Sequence, residues 1–264
     1  MARDGRTAYV TSTEGKYVSV IDTASRHIVA KIAIPDTPLG IAAAGHFIYV
    51  AGFYQPRLYK IDLATGAIAA SVEIGAAPSG VAVTPEGALI VTADRDDNQI
   101  SIIDAKTFTR KGTVKVGAHP FGVTIDPQGA RAYTANVESN DVSVVDFAAK
   151  TLLGTVAVGK RPYAVALAKG RGFSTDQYGG TVSVFDLATL QPVTRISVGD
   201  YPEGIQTSAD GTNVYVVNWF SNEVWAIDAE TLAVTAKMPA GDGPRAFGTF
   251  LRETPRVFRR SFWR

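Results

Sequence analysis

A chain of 264 residues, 46% of them hydrophobic, is long enough to bury a sizeable core as one domain or two. The net charge is +1; the last fourteen residues (five Arg, one Glu) carry +4 and the remainder −3, which offers no phosphate-binding groove and argues against nucleic acid as partner. Cysteine is absent, so disulfides, thiolate metal sites and a Cys nucleophile are excluded.

In chain order, the opening Met-Ala-Arg-Asp-Gly-Arg has no apolar stretch behind its charges and does not read as a signal peptide; a leader cleaved ahead of it is compatible with this start. No later run is long enough to span a bilayer. The first strand signal, Ala8-Tyr-Val-Thr, is followed by a hydrophobic-Asp pair, Ile21-Asp22, and that pair recurs at Ile61-Asp62, Ile103-Asp104, Val145-Asp146, Phe185-Asp186 and Ile227-Asp228. The Asp spacings are 40, 42, 42, 40 and 42, and a proline stands 16 residues after each Asp, at Pro38, Pro78, Pro120, Pro162, Pro202 and Pro244. Both short repeats lose two residues in the same hairpin, as loops do on a constant frame.

Within a unit, Gly80-Val-Ala-Val, Leu89-Ile-Val-Thr, Ile100-Ser-Ile-Ile and Gly112-Thr-Val-Lys-Val are short β-branched runs separated by turn residues, with no helical periodicity. Four strands per repeat of this length mark propeller blades. The first unit lacks its innermost strand, while residues 244–250 match the start of a blade. The expected fold is therefore all-β: a six-bladed β-propeller of four-stranded antiparallel blades, closed by a C-terminal strand that completes the N-terminal blade. Residues 1–250 form the expected single domain, a monomer, and the Arg-rich tail 251–264 is expected to be disordered.

Tyr9-Val-Thr-Ser, Tyr133-Thr-Ala-Asn and Tyr215-Val-Val-Asn, each followed by a Val-Ser-Val-Ile-Asp-like strand, resemble the YVTN-type β-propeller repeats over residues 7 to 250. The resemblance implies the fold and, since members are often exported, a periplasmic or extracellular place. It leaves function open among surface proteins, binders, lactonase-like enzymes and carriers of a haem-like group.

Alternate loops of a four-stranded blade lie on one face, so repeat positions collect into rings. After the prolines stand Leu39, Ser79, Phe121, Tyr163, Glu203 and Arg245; before them Thr37, Ala77, His119, Arg161, Tyr201 and Gly243. The loop beyond the Tyr-Val-Thr-Asn element contributes Phe53, Arg95, Tyr178, Trp219 and Phe220. A structural ring would repeat one residue type; these mix aromatics with charges, as a small-ligand or protein-partner site requires. His119, Phe121, Arg161, Tyr163, Tyr178, Glu203, Trp219, Phe220 and Arg245 are the expected ligand-binding residues of a non-catalytic binding or scaffold propeller. The six repeated Asp residues are expected to cap turns.

Two further readings stay open. Asp94, Asn136, Asp176 and Asn218, at the fourth position of the Tyr-Val-Thr-Asn element, carry oxygens suited to Ca²⁺ or Mg²⁺, which with His119 or Glu203 as base would suit a metal-assisted, lactonase-like hydrolase. Trp219, Tyr163 and Arg161 would hold a ring-shaped cofactor in a periplasmic carrier. His27 and His46 read as surface residues. No Gly-Xaa-Ser-Xaa-Gly elbow, HExxH, P-loop or dinucleotide fingerprint is present, so no catalytic set is named.

Overall fold

The computed structural model describes residues 1–2 and 4–251; the expected disorder of the tail lies, from residue 252 onward, outside them. Among the described residues twenty-three strands form six antiparallel sheets, one for each predicted blade. Blade 1 covers residues 7–33, blade 2 38–73, blade 3 78–115, blade 4 120–157, blade 5 162–197 and blade 6 202–239. Blades 2 to 6 each have four strands in sequence order from the channel outward. No described helix is long and apolar enough to cross a membrane.

The repeat signature has a local cause at each point. In every four-stranded blade the inner strand begins at the proline: Pro38–Ala44, Pro78–Val83, Pro120–Ile125, Pro162–Ala168 and Pro202–Thr207. A strand's first residue is where a missing N–H costs least. In blades 3 to 6 the preceding residue turns left-handed (φ +47 at Ala77, +54 at His119 and Arg161, +52 at Tyr201). Its carbonyl accepts a backbone bond from the neighbouring loop, as Val137 N donates to His119 O at 2.9 Å. At His119, Arg161 and Gly243 the N–H is taken by Asn98, Asn140 and Asn222 respectively, 21 residues upstream. Recurring under Ala, His, Arg and Tyr alike, this conformation belongs to the frame and not to any one side chain.

The hydrophobic-Asp pair marks the outer hairpin. A register shift falls just before its apolar residue in all six blades, for example between Ile102 and Ile103. The Asp then accepts turn N–H bonds, as Asp104 does from Lys106 and Thr107. The other five behave alike, so the capping role expected of them is what the structure shows. The middle strands are apolar on both faces because each blade packs on two neighbours. Five buried clusters fill the gaps between blades 1 and 2, 2 and 3, 3 and 4, 4 and 5, and 5 and 6.

The seam departs from expectation. Blade 1 has three strands, Thr7–Ser12, Tyr17–Asp22 and His27–Ala33, and residues 244–251 form no strand. They lie at the innermost position instead, tied by Phe250 N and Leu251 N to Gln206 Oε1 at 2.6 and 2.8 Å, and by Thr249 O to the Met1 amine at 2.8 Å. Gly248 accounts for the break in the ladder: its φ of +69 turns the chain out of the extended line. Among the described residues no apolar cluster joins blades 6 and 1. Val10 is 51% exposed, while its counterparts Val50, Thr92, Thr134, Ser174 and Val216 are all at 0%.

Candidate functional site

The loops entering the inner strands and those joining second to third strands share one face, and the channel opens there into a cavity of about 610 Å³. Its waist is a ring of residues three places after each proline: Ile41, Val81, Val123, Val165, Ile205 and, in place of the missing strand, Phe247. The same ring lines a cavity of about 450 Å³ towards the opposite face. On the proline-loop side the wall is aromatic: Phe121 lies 4.7 Å from Tyr163 and 5.4 Å from Phe247, ring centre to ring centre. Leu39 and Phe53 of blade 2 add to the lining, and Tyr9, Val10 and Thr11 line the side where blade 1 lacks a strand.

Among the described residues the charged side chains lining this cavity are Arg95 and Arg245, with no carboxylate. Both are held by their inner edges. Arg95 Nε donates to Asp96 at 2.8 Å while the guanidinium lies 5.3 Å from the Phe53 ring centre. Arg245 lies 3.9 Å from the Trp219 ring centre, its Nε 3.4 Å from Glu203 Oε2. The aromatic faces favour the cations and limit their motion.

Beside the cavity, on blades 5 and 6, Tyr201 sits at the centre of an aromatic shelf, with Tyr178, Trp219 and Phe220 at 5.6, 5.9 and 5.1 Å. Tyr178 and Phe220 are largely exposed, and Arg161 stacks on Tyr178 at 5.0 Å. Glu203 is fully buried behind the cavity, with Oε1 accepting from Gln177 Nε2 at 2.6 Å. Burial pushes its pKa up against the opposing pull of Arg245 and Gln177. Burial also raises the Tyr163 hydroxyl, helped by the Glu203 charge.

The sequence-predicted residues thus separate into groups. Phe121, Tyr163 and Arg245 line the cavity; Arg161, Tyr178, Trp219 and Phe220 form the shelf; Glu203 supports Arg245 from below. His119 joins neither: its Nδ1 lies 2.9 Å from Glu138 Oε1, outside the cavity lining. His27 and His46 are on the surface as expected.

Asp94, Asn136, Asp176 and Asn218 are all fully buried, each at the end of the second strand of its own blade; among the described residues no group of three or more His, Cys, Asp or Glu side chains is placed to hold a metal ion. Asp94 accepts from Thr92, Ser101 and Gln99 at 2.7, 2.6 and 3.2 Å. Asn136 donates to Asp141 and Ser143, and Asp176 accepts from Thr181, Ser183 and Gly159 N. Burial raises the pKa of both aspartates against these bonds. In blades 3, 4 and 5 the residue directly across the ladder is matched: Gln99 and Thr181 donate where the ring residue is Asp, and Asp141 accepts where it is Asn; in blade 6, Asn218 stands across from Glu223 with neither side-chain amide atom hydrogen-bonded.

Blade 2 has Gly52 at this position, and Asp36 fills the space from the entering loop, accepting from Thr37 N and Gln55 N. Sequence reasoning missed Asp36, Phe247 and Gly75, Gly117, Gly159 and Gly199, where a Cβ would strike the neighbouring ring side chain. The glycines' constant place three residues before the proline, and the apolar type three residues after it, carried that signal.

No family model matches the sequence, and no curated protein matches it. Among solved structures, a chain of hydrazine synthase from Kuenenia stuttgartiensis superposes with a TM-score of 0.81 at 19% identity, covering 92% of this chain and 86% of that one. In all, 1626 chains of solved structures match, so the likeness defines the fold and leaves the activity to the site.

Proposed function

We propose that this protein is a binding propeller whose proline-loop face takes a small ligand in the channel mouth, with the aromatic shelf beside it. The observation that carries the reading is the cavity of about 610 Å³, walled by Phe121, Tyr163 and Phe247 and rimmed by guanidiniums held on aromatic faces. That volume lies within the usual range for small-molecule sites. The frame-bearing residues, by contrast, are consumed by turns and blade-internal bonds. The resemblance of the repeat to the YVTN type agrees with a rigid ring presenting variable loops.

The test is a thermal-shift screen of a chemically diverse metabolite set on wild type, Phe121→Ala and, as a control at the opposite mouth, Asp126→Asn. The expected result is stabilisation of wild type and the control by at least one compound, lost in Phe121→Ala. A screen without hits, or hits indifferent to Phe121, refutes the reading.

A further inference from the structure

The charge pattern at this mouth narrows the ligand. We infer that the cavity receives an organic acid with a flat apolar body, its anionic end at Arg245 and Arg95 and its body against Phe121, Tyr163 and Phe247. The inference rests on the binding reading above and adds the ligand's chemistry to it.

Four observations converge. The lining holds two cations and no anion among the described residues; their carboxylate partners, Asp96 and Glu203, stand outside it, so the wall of the cavity itself presents positive charge. Each guanidinium spends its Nε edge on a carboxylate, Asp96 or Glu203, and no hydrogen bond among the described residues engages its terminal nitrogens. That outer edge is the one able to grip a carboxylate through two parallel bonds. Glu203 is itself at 0% exposure with Oε2 lacking a hydrogen bond, so the buried anion facing Arg245 is only half answered, and it holds the guanidinium in place from below. The wall of Phe121, Tyr163 and Phe247 and the apolar waist below it suit a ring system and hold no charged side chain to pair a second charge deep in the channel.

The test uses isothermal titration calorimetry with three probes that differ at one group: 2-naphthoate, 2-naphthylmethanol and 2-naphthylmethylamine. The expected result is saturable 1:1 binding of 2-naphthoate, at least tenfold tighter than the alcohol and the amine. Arg245→Met and Arg95→Met should each erase most of that preference while leaving the alcohol's affinity within about twofold, and adding salt should weaken the acid alone. Arg95 is the safer variant, since its carboxylate partner is exposed and its loss leaves no buried anion. Equal binding of acid and alcohol, or tighter binding of the amine, overturns the inference while the small-ligand reading stands. Hits confined to unrelated compounds in the thermal screen overturn it likewise. Failure of all three probes together with an empty screen overturns both.

Discussion

Transplanting a cross-strand pair from one blade to another tests whether the buried polar ring is a frame element. In blade 3 the pair is Asp94 with Gln99; in blade 4 it is Asn136 with Asp141, the same two roles reversed. Asp94→Asn alone leaves two amides face to face and loses a charge-assisted bond worth about 1.5–3 kcal/mol, offset in part by removal of a buried charge, for a net cost of about 1–2 kcal/mol. Gln99→Asp alone sets a second carboxylate against a buried one and should cost about 2–4 kcal/mol. The double variant rebuilds the blade 4 pair and should cost under about 1 kcal/mol, so the coupling is about 2 kcal/mol or more, beyond the roughly 0.5 kcal/mol expected of independent sites. Urea unfolding at pH 8, followed by far-UV circular dichroism, measures all four proteins, with midpoint shifts converted through the shared slope. Additive costs for the two substitutions would refute the argument that these residues are matched within their own blade.

Other outcomes follow from the same geometry. Gly75→Ala places a Cβ 2.5 Å from Asp94 and should destabilise by about 1–3 kcal/mol in a thermal or urea melt, whereas Gly241→Ala, with open space around it, should stay within about 0.5 kcal/mol of wild type. Burial holds the Glu203 pKa above the ordinary carboxylate range; its contribution is full below the unfolded-state pKa and is lost as pH rises through the raised one. Glu203→Gln should therefore gain stability relative to wild type as pH rises above the ordinary glutamate range, and the opposite slope in paired denaturation curves would contradict the assignment. Hydrogen exchange read by mass spectrometry should show the first strand of blade 1, where Val10 is exposed, exchanging at least about tenfold faster than the buried Leu89–Asp94 strand. Phe220→Ser, at a 64% exposed position, should leave the melting temperature nearly unchanged, which a melting curve checks directly.

The architecture was legible in the sequence because a propeller repeats its local rules. The proline that opens each inner strand, the hydrophobic-Asp pair at the outer bulge and turn, and the hairpin that absorbs length changes are each short-range, and each recurs at its spacing. The mouth residues Phe121, Tyr163 and Arg245 were legible for the same reason: equivalent positions must share a face once the blade is known. Three things needed the tertiary structure. Whether a side chain at a ring position points into the channel or into its own blade depends on pleat and pairing, so Asp94 and Asp176 read as ligands in sequence yet are enclosed by their own hairpins. The stacking of Arg245 between Trp219 and Glu203 joins residues that are distant in the chain and meet only when the ring is formed. The state of the seam turned on a single left-handed glycine, Gly248, whose backbone angle no repeat pattern encodes.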